Sequence, residues 1–321
     1  LSGGHMTQKE TNPYPFSDSN KRYQTFDYYM KHRFGRKCAK VSLDAGFTCP
    51  NLDGTISVGG CIYCADGSSG AACAGSISRQ YDEGVKCVVG KWQCSRFVPY
   101  LQAHTNTYAE PDVLRRVYEE AASLPGAVML AIATRADCLS DKVLQVLSET
   151  AKKIPLLIEL GLQSTDDETA RIINRGHDMA AFCSGYERLR QAEGDITVCV
   201  HLINGLPGES MDTMLKSAED VAALKPDMVK LHLLHVLKGT YLENLYLAGS
   251  YTPMTMVDYV SAVCSQIELM PPETVIARVT GDGKATELLA PDWSIRKTAV
   301  TNEIDKELFR RGTYQGCRYK L

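Results

Sequence analysis

From about residue 37 to about residue 270, short β-rich runs alternate with amphipathic helical runs. No other feature constrains the fold as strongly. Candidate strands cover residues 38–45, 96–105, 127–134, 155–163, 195–203 and 227–236. Helical patterns fill 110–123, 140–153, 179–192 and 209–224, and Ser140, Asp178 and Ser210 each offer a side-chain oxygen as a helix start. Six βα units in succession predict a parallel sheet, either open and doubly wound or curved into a barrel.

Parity along the strands separates those two architectures, because successive side chains point to opposite faces. In 195–203 the set Ile196, Val198, Val200, Leu202 is wholly apolar and is expected to face helices, whereas Thr197, Cys199 and His201 are not. The same split recurs at Lys40, Ser42 and Asp44; Gln102, His104 and Asn106; Glu159 and Gln163; and Lys230 and His232. A closed barrel fills its interior with branched apolar side chains. Polar inner stripes on five of six strands therefore predict a partial (β/α)6 TIM-like barrel, open on one side, whose interior holds a polar ligand. The unusual residues cluster just after the strand C-termini, the edge where α/β folds carry their sites.

After the first strand comes a glycine-rich loop with Cys49, Cys61 and Cys64 in the spacing C-x11-C-x2-C. The paired thiolates and the long arm can meet at one metal centre. On an iron–sulfur cluster, three ligands leave one iron open. Structural zinc is the competing reading, with Cys73 or Cys38 as the fourth ligand. Twelve cysteines in 321 residues, several of them bunched near the N-terminus, point to reduced thiols and a cytoplasmic protein rather than a disulfide framework. The formal charge of −3 gives no whole-molecule attraction to nucleic acid or anionic lipid, and no apolar run is long enough to span a bilayer.

Several motifs occur together with the cysteines. They are Gln102-Ala-His-Thr-Asn-Thr-Tyr108, Ala133-Thr-Arg-Ala-Asp137, Glu159-Leu-Gly-Leu-Gln-Ser164, Asn174-Arg-Gly-His177, His201-Leu-Ile-Asn-Gly-Leu-Pro-Gly-Glu209 and Lys230-Leu-His-Leu-Leu-His-Val-Leu-Lys-Gly-Thr240. On these residues the chain resembles the radical S-adenosylmethionine (SAM) enzymes. More closely, it resembles the bacterial YtqA/YhcC-like group, related to the catalytic subunit of Elongator. The resemblance implies a [4Fe–4S] cluster on Cys49, Cys61 and Cys64, with the fourth iron chelated by SAM, which is cleaved reductively to a 5′-deoxyadenosyl radical. It implies SAM contacts from Tyr63, Thr105, Asn106, Glu159, Arg175, Gly205 and Leu206. Thr105 and Asn106 stand where many relatives carry Gly-Gly-Glu, and an ion pair with Lys230 or Arg135 is the alternative role for Glu159. Inward polar residues not assigned to SAM, among them Asp137, Gln163, His201 and Lys230, are the expected substrate-handling residues.

The same resemblance implies tRNA as partner and an electron donor such as flavodoxin or ferredoxin. The expected reaction converts a carboxymethylaminomethyl group on the wobble uridine to an aminomethyl group; a small metabolite is the alternative substrate, and a zinc-stabilised nucleic-acid-binding protein is the alternative outside catalysis. Residues 21–40 carry seven Lys/Arg against one acid and residues 306–320 five against one. Beside the barrel mouth, both segments would bind phosphates. Tyr23, Phe26, Tyr28 and Tyr29 would stack on bases or anchor that segment. Residues 1–6 read as a tag remnant, 7–37 as an N-terminal extension, 38–270 as the core, and 271–321 as a C-terminal extension over the barrel's open flank. That extension contains a strand-like stretch at 275–279 and a helix at 302–311.

Overall fold

The computed structural model describes residues 14, 19–65, 71–281 and 286–320, so the expected tag remnant and part of the turn at 280–283 lie outside the described residues. The chain runs through helix α1 (Phe26–Phe34), β1 (Cys38–Leu43), α2 (Ile77–Trp92), β2 (Arg96–Leu101), α3 (Pro111–Ala122) and β3 (Leu130–Thr134). It continues with α4 (Asp141–Ala151), β4 (Leu156–Gln163), α5 (Asp167–Ile172), α6 (Met179–Arg190), β5 (Ile196–Asn204) and α7 (Met211–Leu224). It ends with β6 (Met228–Leu233), β7 (Val236–Leu237), α8 (Tyr241–Leu247), α9 (Met256–Leu269), β8 (Val275–Arg278), β9 (Leu288–Ala290) and α10 (Lys297–Arg311). Ser140, Asp178 and Ser210 cap α4, α6 and α7, each accepting a backbone N–H from three residues on.

The strands form one parallel sheet in the order β1-β2-β3-β4-β5-β6-β8, curled into a half-barrel. The six expected strands are present, and the strand-like stretch after the core joins them as a seventh. Its pairing with β6 is a long-range contact that local pattern does not reveal. The outward sets, such as Val198, Val200 and Leu202, pack under the helices in the main hydrophobic core.

The inward face is layered. At the strand N-termini Val98, Met129, Leu157, Cys199, Met228 and Val275 form an apolar floor closed by Met30 of α1. Above it lies a belt of charged and polar side chains, and above that belt, at the strand C-termini, a cavity opens.

This layering corrects the expectation for the terminal segments. α1 plugs the end of the barrel opposite the cysteine loop: Arg33 pairs with Asp195 just before β5, and Arg96 at the start of β2 donates to the Phe34 carbonyl. Tyr23 is buried, while Phe26 and Tyr29 pack on the apolar floor, so these rings anchor the segment. At the other terminus Gln315 bonds to Pro271 and Thr274, where the chain turns into β8. Many of the basic groups are engaged within the protein, Lys21 by Asp305 and Arg311 and Arg318 by Glu268. Neither segment borders the cavity. No helix among the described residues is long and apolar enough to cross a membrane.

Candidate active site

The cavity, about 260 Å³, is lined by Cys49, Cys61 and Cys64 together with Tyr63, Thr105, Arg135, Glu159, Gln163, Arg175, His177 and His201. Gln102 and His104 also reach it. It sits where loops from several strand C-termini converge, as parity and loop position predicted. The cysteine loop is held by backbone bonds from Leu52 and Asp53 back to the Cys49 carbonyl and from Cys64 to the Cys61 carbonyl. Ile62 anchors it in a small core with Ile173, Leu206 and Leu242. The Cys61 thiol is pushed down to about 7, mainly by a hydrogen bond from Cys64, with Tyr63, Arg135 and Asn51 acting in the same direction.

Glu159 is the centre of the belt beneath the cavity. Its side chain is fully buried, and its oxygens meet Lys40, Lys230 (2.5 Å), Tyr100 (2.5 Å) and His201 (3.1 Å). Burial opposes its charge, yet the two ammonium groups and His201 hold its carboxyl well below the usual range. This is the ion-pair role weighed for Glu159, realised with Lys230 and Lys40 rather than Arg135. Lys230 is pushed down to about 8, chiefly by burial, and His201 to about 4 by burial with Lys230 beside it. Because neutral His201 meets an ionised carboxylate through Nε2, that nitrogen carries the proton and donates.

Gln163 adopts a left-handed backbone (φ 70°) at a bulge in the pairing of β4 with β5. Its carboxamide lies over Gly161, where an added Cβ would come within 2.8 Å of Nε2.

Five expected site residues do not line this cavity. β2 ends at Leu101 rather than at 105, so strand parity no longer governs Asn106; its Nδ2 instead donates to the carbonyls of Leu101, Ala103 and Ala133. Lys230, register partner of His201, belongs to the belt, its ammonium held by Glu159. Asp137 takes both prongs of Arg135 and faces outer clefts. Gly205 packs against Met254, and Leu206 belongs to the small core under the cysteine loop. Conversely, Arg135, expected only as an alternative partner for Glu159, and His177, not singled out, both line the cavity, and both stand in quoted motifs.

The residues present fit a three-thiolate cluster with an open position. Among the described residues, two buried donors beside the thiols make no hydrogen bond, His177 Nε2 and Arg175 Nη2, the latter 3.8 Å from Asp167 Oδ1. His177 Nδ1 lies 3.2 Å from Arg135 Nη2, and a guanidinium only donates, so the proton of this imidazole is on Nε2. Burial, with Arg175 nearby, pushes His177 down to about 4 and keeps it neutral. Such donors call for a carboxylate-bearing ligand next to the cysteines.

Neither cysteine expected as the fourth zinc ligand stands with the other three. Cys38 begins β1 at the far end of the barrel, and Cys73 Sγ faces the Arg79 carbonyl away from the cavity lining. Among the described residues, no three His, Cys, Asp or Glu side chains converge as the ligands of a single metal ion do.

Residues 58–221 match the family described as Radical SAM superfamily, and residues 226–310 match the Radical SAM C-terminal domain. The chain belongs to the radical SAM superfamily. It is 42% identical to YtqA of Bacillus subtilis (strain 168) over 96% of each chain. It is 36% identical to YhcC of Escherichia coli (strain K12), covering 88% of this chain and 91% of that one. A more distant relative is the tRNA uridine(34) acetyltransferase of Methanocaldococcus infernus, 26% identical over 59% of this chain and 35% of that one. The archaeal Methanocaldococcus infernus Elp3 with an N-terminal deletion has the same fold, with a TM-score of 0.66 at 19% identity, covering 87% of this chain and 64% of that one. The protein is thus a radical SAM enzyme, of a family whose cofactors are a [4Fe–4S] cluster and SAM.

Proposed function

We propose that this radical SAM enzyme modifies tRNA at the wobble uridine, converting a carboxymethylaminomethyl group to an aminomethyl group. The bond from nitrogen to the carboxymethyl arm would break, SAM would serve as the two-electron oxidant, and water would release the arm as a two-carbon aldehyde acid. The observation that carries the reading is the likeness to a tRNA uridine(34) acetyltransferase together with the cysteine loop over a polar cavity. When bound, the cluster and SAM supply a hydrogen-abstracting 5′-deoxyadenosyl radical. Cys49, Cys61 and Cys64 would hold the cluster. Arg175, whose Nη2 makes no hydrogen bond among the described residues, would meet the methionine carboxylate, and Thr105 and Tyr63 would border SAM. Gln163 and His201 would face the substrate, His201 as a neutral imidazole steadied by Glu159, with Lys230 fixing Glu159.

The experiment is incubation of the reconstituted enzyme with tRNA bearing the carboxymethylaminomethyl group, followed by nucleoside mass spectrometry. Appearance of the aminomethyl nucleoside, dependent on SAM and reductant, is the expected result. An unchanged nucleoside, with SAM still cleaved, would refute the tRNA reading. One observation favours a small metabolite instead: the basic terminal segments lie at the barrel end away from the cavity and many of their charges are paired internally. Under that reading the enzyme has no measurable affinity for tRNA.

A further inference from the structure

We propose that Asn51 and Arg135 hold the three-thiolate site from outside and raise the reduction potential of the cluster bound there. The inference rests on Cys49, Cys61 and Cys64 being the cluster ligands.

Asn51 is fully buried in the cysteine loop. Its Nδ2 donates to the carbonyls of Asn174 (2.5 Å) and Arg175 (2.9 Å) and lies 3.8 Å from Cys61 Sγ. The chain opposite leaves room for this amide only because residue 176 is glycine. Gly176 is left-handed (φ 81°), and a Cβ there would come within 2.2 Å of Asn51 Oδ1. The motif Asn174-Arg-Gly-His177 is therefore a docking strip for the cysteine loop. Asn174 adds to it, its Nδ2 donating to the Gly60 carbonyl (2.7 Å).

Arg135 approaches the same strip from β3. Its guanidinium is buried, held in a fork by Asp137 (2.9 and 2.7 Å), and donates to the Arg175 carbonyl (2.7 Å). Asn51 and Arg135 thus converge on one carbonyl oxygen, which has two lone pairs to accept both. Arg135 also lines the cavity beside Cys49, Cys61 and Cys64.

Reduction adds an electron to a cluster already ligated by three thiolates. Hydrogen bonds to the sulfurs and nearby positive charge favour that extra negative charge, and such groups set cluster potentials. The positive NH2 end of the Asn51 amide dipole, 3.8 Å from Cys61 Sγ, and a guanidinium fixed in the cavity wall both act in this direction. Asp137 offsets part of the charge while fixing where the fork points.

The test uses the full chain, reconstituted anaerobically, with iron and sulfide quantified and the reduced cluster followed by electron paramagnetic resonance during a potentiometric titration. Arg135→Gln is expected to load like the parent yet titrate at a more negative potential, and Arg135→Lys to return toward the parent. Asn51→Ala is expected to shift in the same negative direction. A shift in only one residue's variant keeps that residue's part and overturns the other's. If Asn51→Ala fails to load, the Arg135 variants decide alone. Loaded variants that titrate with the parent overturn the proposal. A parent that takes up no cluster overturns the ligand assignment beneath it instead.

Discussion

Replacing Glu159 by Gln is expected to destabilise the protein by about 3–5 kcal/mol, the range for breaking a buried ion pair by removing one partner. The structure shows where the cost arises. Glu159 is the carboxylate that Lys40 and Lys230 share, and only 5% of the Lys230 side chain is exposed. Lys230 is already pushed down to about 8 with Glu159 in place. Without that charge it drops further and sheds its proton near neutrality, which caps its added penalty at about 1.4 kcal/mol for the remaining pKa unit. The lost charge-assisted bond to Lys40, at about 1.5–3 kcal/mol, supplies the rest.

Two features distinguish this from an ordinary core substitution. Removing both charges, in Glu159→Leu with Lys230→Met, is expected to cost less than the sum of the two single changes, because Lys230 is no longer left unpaired and Lys40 loses its carboxylate only once. The Glu159→Gln deficit is also expected to shrink as pH rises above about 8, where Lys230 is neutral in the parent as well. The assay is urea unfolding of the apo protein at several pH values. A loss under about 1 kcal/mol for Glu159→Gln, or a double variant as costly as the summed singles, would refute the reasoning.

Three further outcomes follow from the site. His177 and His201 both sit near 4 in the fold against 6.5 when free, so the unfolded chain binds more protons between those values. Stability is therefore expected to fall as pH drops from about 6.5 to 4, by up to about 3 kcal/mol per imidazole, in denaturation curves collected across that range; a flat profile would contradict it. Gly176→Ala is expected to cost about 1–3 kcal/mol, read by thermal unfolding, because the new Cβ meets Asn51 in a left-handed backbone. Arg175→Lys loses the planar fork and is expected to weaken SAM binding about tenfold in equilibrium dialysis with the cluster-loaded protein, while iron content stays at the parent level.

Much of this architecture was legible because a strand's two-residue period separates helix-facing from inward side chains. Val198, Val200 and Leu202 fell on one side and His201 on the other, as the fold has them. Helix starts were legible for a local reason, since Ser140, Asp178 and Ser210 bond to backbone three residues away.

Which inward side chains reach the cavity was not legible. Lys230 and His201 are register partners with the same inward parity, but only His201 lines the cavity, while the Lys230 ammonium is held by Glu159. Parity also stops informing where a strand stops, which is why Asn106 turned inward to backbone carbonyls. The aromatic, basic segment around α1 carried the composition of a nucleic-acid surface, while its burial depends on which end of the barrel it reaches. Arg135, His177 and Asn51 gain their importance from one strip of backbone that brings three distant segments together.

The most direct test of the account is formation of 5′-deoxyadenosine after anaerobic reconstitution and incubation with SAM and a strong reductant. The parent and Cys73→Ala are predicted to form it, and Cys49→Ala, Cys61→Ala and Cys64→Ala are predicted to form none. Tight zinc binding by the parent with no 5′-deoxyadenosine, or undiminished formation in any of the three cysteine variants, would contradict the three-thiolate site.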